Sequence, residues 1–262
     1  MDLLLADACQ RCRRGCFESS SAFTGHSKTN KHYQSCSRRD LFLTFCVQPG
    51  NFVKASRDQS TTKMFSTSFL TFSLLASPIA ATWVKGKAFD RFAVIWLENT
   101  DYDLAIGDPS LQWLAKKGIT LSNNFAVTHP SMPNYAAAIS GDYFGINHDD
   151  LIYIPSNVST VVDLLEEKGI SWGEYQEDMP SVGFEGKEYR NQKTGANAYV
   201  RKHNPAVLYD SVSDSSARLA KTKPLTAFAT DLKAGTLPQW MFITPNMTSD
   251  GHDSTVTVAG TW

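Results

Sequence analysis

Ser131 opens the most chemically suggestive stretch of the chain, Thr128 to Gly145 (THPSMPNYAAAISGDYFG). Pro133 suits the first turn of a helix, where a missing N–H costs nothing, and Asn134 through Ala138 can continue that helix. Ser131 then stands at the helix entrance, where unpaired N–H groups and the positive end of the dipole favour an alkoxide and welcome a phosphate. A plain N-cap serine has the same signature, so both readings stay open locally. Glu98-Asn99 offers a carboxylate and an amide oxygen, hard donors suited to a divalent cation, or alternatively to a helix cap or salt bridge. His129 lies two residues before Ser131, where a loop histidine could reach a phosphate. His203 falls in the basic segment Arg201-Lys202-His203-Asn204-Pro205. Asn246, Asp250, His252 and Asp253 crowd one short segment, a composition that a solvated turn also tolerates.

Elements must carry these residues to one place. Phe92 to Leu97 (FAVIWL) is a continuous apolar run, the mark of a strand buried on both faces, and it ends at Glu98-Asn99. Leu111 to Lys117 reads as a short helix stopped by Gly118. Ser159 or Thr160 can cap a helix through Val161, Val162, Leu164 and Leu165, with Lys168 in its last turn and Gly169 as its stop. Ile170 to Tyr175 and Trp240 to Thr244 read as further strands, the latter closed by Pro245-Asn246. Strand-like and helix-like segments alternate without an internal repeat, which predicts one α/β domain. Ligands bind at the carboxyl ends of strands in parallel sheets, and Glu98-Asn99 and Asn246 fall there.

The 262 residues are 42% hydrophobic and 19% charged, which excludes a wholly disordered chain, a collagen and a multipass membrane protein. A formal net charge of -1 argues against a dedicated nucleic-acid binder. The charge is uneven: ten Lys+Arg against five Asp+Glu precede Met64, and 15 against 21 follow. All five cysteines lie before Met64 and all six tryptophans after it. From Met64 the text MFSTSFLTFSLLASPIAATW reads as a secretory signal peptide with cleavage near Ala80 or Ala81, a buried core helix being the alternative. Its apolar run, Phe69 to Leu75, is too short for a bilayer of about 30 Å, so no stable membrane insertion is expected. Residues 1–63 are expected to be a disordered extension, 64–81 the signal-like segment and 82–262 the N-terminal portion of the main α/β domain. A zinc knuckle from Cys9, Cys12, Cys16 and Cys36, with His26 and His32 nearby, is a competing reading of the extension. Two sequons, at Asn157 and Asn246, fit an exported protein; glycosylation is expected at Asn157 alone, because a glycan on Asn246 would obstruct the strand-end site.

Ser131-Met132-Pro133-Asn134 resembles the nucleophile segment of the alkaline phosphatase superfamily. Glu98-Asn99, Tyr102-Asp103, Gly107-Asp108-Pro109, His129-Pro130-Ser131, and Thr244-Pro245-Asn246 through Asp250-Gly251-His252-Asp253 occur in an order that is similar to the fungal secreted acid phosphatases. Those enzymes share a phosphoesterase family with bacterial phosphatidylcholine-type phospholipases C. The resemblance runs from about residue 88 to 262 and rests on several ordered motifs. It implies an α/β fold in three layers around a mostly parallel sheet, alkaline-phosphatase-like.

The same resemblance implies a secreted phosphomonoesterase with acid preference, using a divalent metal of unspecified identity and a small phosphate-ester substrate. Glu98, Asn99 and Ser131 would hold the metal, and Ser131 would attack phosphorus to give a phosphoserine that water cleaves. His129, His203 and His252 would serve the phosphate or the leaving group, with Asp250 or Asp253 orienting His252. Asn134, Lys202 and Asn246 would bind substrate; Lys202 stands where relatives often place a first of two histidines. A phospholipase C and a non-catalytic secreted binding protein are the alternatives. Family members continue with strands beyond the equivalent of Trp262, one bearing an aspartate-containing metal motif. The chain is therefore expected to be incomplete at its C-terminus and to have little or no activity. Its metal would have no protein carboxylate but Glu98, and Trp240 to Thr244 would lie at an exposed sheet edge.

Overall fold

The computed structural model describes residues 43–47, 83–86 and 88–262. The cysteine-based zinc reading, the signal-like segment 64–81 and the extension apart from residues 43–47 lie outside the described residues.

Seven strands are described: β1 (Leu43–Val47), β2 (Arg91–Ile95), β3 (Trp172–Gln176), β4 (Glu188–Tyr189), β5 (Tyr199–Val200), β6 (Thr222–Pro224) and β7 (Trp240–Thr244). Five of them form one sheet in the order β1-β2-β7-β3-β6. Strands β2, β7, β3 and β6 run parallel, and β1 pairs antiparallel with β2, Leu43 opposite Ile95. The chain is thus α/β with a mostly parallel sheet. Strand β7 lies between β2 and β3, in register Phe92 to Trp240 and Trp172 to Trp240. This corrects the expectation that Trp240 to Thr244 forms an edge: two long-range pairings place it at the sheet centre. Strand β6 stands at an edge, where the missing N–H of Pro224 is tolerated.

Helices α1 (Tyr102–Gly107), α2 (Pro109–Ala115), α3 (Ser131–Ser140) and α4 (Val161–Glu167) lie between β2 and β3. Helices α5 (Asp210–Ser213), α6 (Ser216–Leu219), α7 (Thr226–Ala234) and α8 (Val256–Thr261) follow. Asp108 caps α2 by accepting from Ser110 and Leu111 N–H, with Pro109 in the first turn. Thr160 and Asp163 form a capping box on α4. Alternation along β2 and β7 divides the core between the two sheet faces. Phe242 and Trp172 pack with Met132, Tyr135 and Ile139 of α3 on one face. Ala93, Met241 and Ile243 meet Leu225, Ala227 and Phe228 at α7 on the other. No described helix is long and apolar enough to cross a membrane.

Parallel strands turn their carboxyl ends to a common edge. Glu98 follows β2 there, Glu177-Asp178 follows β3 and Asn246 follows β7. The Glu98 N–H donates to the Asp250 carbonyl at 3.0 Å, stitching the first and last of these loops together.

Candidate active site

Helix α3 begins at Ser131, and its N-cap position falls on Pro130. Ser131 is therefore not the capping residue. Its Oγ instead donates to Glu98 Oε2 at 3.3 Å. Asn134 holds this entrance rigid: its Oδ1 accepts from Val127 and Thr128 N–H, and its Nδ2 donates to the Thr128, Pro130 and Ser131 carbonyls. Its amide is spent on the loop that carries Ser131, whereas the sequence reading assigned it to substrate.

Glu98, buried at the end of β2, is the centre of the site. The Tyr135 phenol donates to its Oε1 at 3.4 Å, and His203 Nε2 lies 2.6 Å from the same oxygen. His203 is 2% exposed and stacks on Tyr135, ring centroids 4.5 Å apart at 11°. Its Nδ1 is 3.7 Å from Asp250 Oδ2. Neither ring nitrogen, nor Asp250 Oδ2, finds a hydrogen bond of good direction. The Gly251 φ of 106° turns the chain here, and a Cβ on it would lie 3.3 Å from the Glu98 carbonyl, so glycine lets the two loops close.

Charge explains what this cluster is fit to hold. Burial drives the Asp250 carboxyl up to about 8, and the charges of Glu98 and Asp253 add to that push against the hydrogen bond from His252 N–H. Burial also acts to raise Glu98, but the close approach of His203 to its Oε1, with the charges of His252 and Lys202, holds its carboxyl below the usual range. Burial and the neighbouring Glu98 push the Tyr135 phenol well above its ordinary value. Glu98, His203 and Asp250 bring donor atoms within 4.8 Å of one another. Two buried carboxylates and an imidazole, with three of their polar atoms short of partners, make a donor set that fits a divalent cation, whose charge would relieve the repulsion.

This set differs from the expected ligands. Glu98 is common to both, but the structure gathers His203 and Asp250 beside it. That corrects the expectation of Glu98 as the sole carboxylate: the loop after β7 folds back across β2, a closure no local pattern records. Asn99 is exposed. His129 is also exposed, before a cis peptide to Pro130.

A pocket of about 430 Å³ opens beside the cluster, with Met132, Asp149, Asn197, Lys202, His252 and Asp253 in its wall. The His252 ring centroid lies 6.0 Å from that of His203. Asp253 Oδ1 meets His252 Nδ1 at 2.7 Å and its Oδ2 accepts from Asn197, while Asp250 Oδ1 takes the His252 backbone N–H. Lys202 pairs with Asp149 at 2.8 Å. Asn246 is occupied elsewhere: its Nδ2 donates to Asp178 and its Oδ1 accepts from Thr248. Asn157, by contrast, is exposed in a turn. Tyr135, Asp149 and Asn197 escaped the sequence reading; Tyr135 stands in the quoted helix motif, but Asp149 and Asn197 carry no local signal.

The chain matches the phosphoesterase family over residues 107–262. It is 51% identical over 212 residues to a probable acid phosphatase of Kluyveromyces lactis, covering 78% of this chain and 50% of that protein. It is 59% identical over 179 residues to a phosphate-repressible acid phosphatase of Penicillium chrysogenum, 68% of this chain and 43% of that one. A phosphatidylinositol-3-phosphatase of Mycobacterium tuberculosis is 30% identical over 205 residues, 74% of this chain and 64% of that protein. The chain thus spans about half the length of the two fungal relatives.

Proposed function

From the premise that the chain belongs to the phosphoesterase family, we propose that it serves as a phosphoric monoester hydrolase of acid phosphatase type, with Ser131 as nucleophile. The fungal relatives named acid phosphatase support the reaction class. The observation that carries the residue assignment is Ser131 Oγ, bonded to Glu98 Oε2 at the first turn of α3, one residue before Met132 of the pocket wall.

The hydrogen bond to a carboxylate held ionised orients and polarises the Ser131 O–H. Oγ forms the bond to phosphorus as its proton passes toward Glu98, and the bond from phosphorus to the ester oxygen breaks. Asp253 occupies His252 Nδ1, leaving Nε2 to supply a proton to the departing alkoxide. Water then cleaves the phosphoserine, with proton transfers reversed. Lys202 contributes positive charge at the pocket wall. Glu98, His203 and Asp250 would hold a divalent cation, which when bound supplies Lewis-acid charge to the phosphoryl group. A compact soluble ester suits the pocket. Export through the signal-like segment at Met64 and a glycan at the exposed Asn157 complete the proposal; an unchanged glycosidase shift in Asn157→Gln would refute the glycan.

Phosphate release from p-nitrophenyl phosphate, compared with cleavage of phosphatidylcholine vesicles, tests the reading. Release from the monoester is expected, in place of the little or no activity anticipated from a lone carboxylate, because Asp250 stands beside Glu98; Ser131→Ala should lower turnover on the order of 10³-fold and leave the melting temperature nearly unchanged. Near wild-type turnover by that variant removes Ser131 as nucleophile. Preference for the phospholipid favours the phospholipase C alternative.

A further inference from the structure

We propose that Asp149 is the positioning residue of this site, a single carboxylate that ties the entrance of α3 to the turn bearing Lys202 and His203. The proposal rests on the phosphatase reading above and adds to it a residue that holds the phosphate-binding cation in place. Asp149 uses both oxygens on partners from different elements. Its Oδ1 accepts the Met132 N–H at 2.9 Å, one residue past Ser131, and its Oδ2 pairs with Lys202 Nζ at 2.8 Å. The two side chains are 28% and 22% exposed, so water screens the pair only in part. The adjacent Asp150 is 80% exposed and its carboxylate lies 3.3 Å from His148 Nδ1. Both acids line the pocket, but Asp149 is tied to two other elements while Asp150 is largely open to water.

The geometry also identifies what depends on Asp149. Ser131 is independently held by the Asn134 clamp and by Glu98. His203 is held by its stack on Tyr135 and by the Thr244 hydroxyl, which donates to its carbonyl. The Lys202 head has no such second anchor among the described residues. A four-carbon stem without its partner samples many rotamers, and the ammonium leaves the pocket wall for much of the time. Loss of Asp149 should therefore weaken capture of the phosphoryl group more than it slows the chemical step.

Asp149→Asn keeps an oxygen for the Met132 N–H and removes the charge that holds Lys202. Calorimetric binding of inorganic phosphate to the 262-residue chain, beside KM and kcat for a soluble monoester, provides two separate readouts. The phosphate Kd and KM are expected to rise about tenfold, with a smaller fall in kcat, the scale of one charge-assisted contact. Lys202→Met should weaken binding equally, and adding Asp149→Asn to it should weaken it no further. Asp149→Glu, which retains the charge and both acceptors, should recover part of the affinity. Additive losses in the double variant overturn the proposal. A fall in melting temperature with unchanged Kd does so too, as does tighter phosphate binding, which would make Asp149 a competing anion, or absence of phosphate binding in the parent chain. Coupled binding without ester turnover would sink the phosphatase reading and leave the positioning role standing; turnover with additive losses would do the reverse.

Discussion

Glu174 is a carboxyl in the middle of β3, 1% exposed, with Oε1 accepting the Ala206 N–H at 3.1 Å and Oε2 unpaired. Burial pushes its pKa up to about 8, and the Ala206 hydrogen bond opposes this only in part. The folded chain therefore keeps a proton that the unfolded chain, with a carboxyl near 4.5, gives up. This contribution to stability is fully present below pH 4.5 and is lost as pH rises through about 8. Urea midpoints measured from pH 5 to pH 8 should fall with pH, at most about 1.4 kcal/mol per unit from this group, and less steeply in Glu174→Gln. Equal slopes in the two proteins would show that Glu174 does not titrate with folding. Ser131 shows what one residue's context can disclose: Pro133 two positions on signals the helix entrance, but only the structure separates a capping hydroxyl from one bonded to Glu98.

Helix α4 was legible in sequence through Thr160, its apolar spacing and Gly169, since each signal is local. Its docking was not. Glu166 at its last turn accepts from Trp172 Nε1 on β3, Arg218 Nε on α6 and Lys221 Nζ, at 2.9, 2.9 and 2.6 Å. Burial alone would raise this carboxyl, but the hydrogen bonds from Lys221, Trp172 and Arg218 outweigh it and bring it down to about 2. Because the folded pKa is depressed, the stabilisation is complete above the unfolded value of 4.5 and disappears as pH falls through 2. Glu166→Gln should cost about 1 kcal/mol at pH 6, after allowance for solvent screening, and only a small fraction of that at pH 2. Chemical denaturation at the two pH values checks this; an equal cost at both would assign the effect to packing. Strand β6 and helix α7 were not read at all. Thr222–Pro224 is three residues long with no alternation, and no residue of α7 is fully buried, so periodicity had little to act on.

At the scale of the molecule, the sheet's parallel strands deliver Glu98 and the loop of Asp250 to one edge, and the turn at His203 closes over them. A cation on this triad binds the folded chain alone, so it should raise the melting temperature by about 5 to 10 °C at a hundredfold excess over Kd. Thermal scans with and without a divalent metal and chelator check this; Glu98→Gln and Asp250→Asn should each lose most of the shift, and an undiminished shift in both would place the metal elsewhere. The sequence by itself determined the α/β class, the strands at Phe92 and Trp240, the helix entrance at Ser131 and the placing of Glu98 and Asn246 just past strand ends. Each follows from side-chain periodicity or from the conformational limits of Pro and Gly, which act within a few residues. The Asp250-His252-Asp253 segment was visible as composition, but its division of labour was not. Only the tertiary structure decided that β7 is central, that Asp250 and His203 join Glu98 while Asn99 faces solvent, and that Asn134 and Asn246 are spent on loops. Those outcomes depend on strand pairing and loop closure between residues far apart in the chain. Their free energy comes from burying one element against another, and no local pattern of residues encodes which partner is chosen.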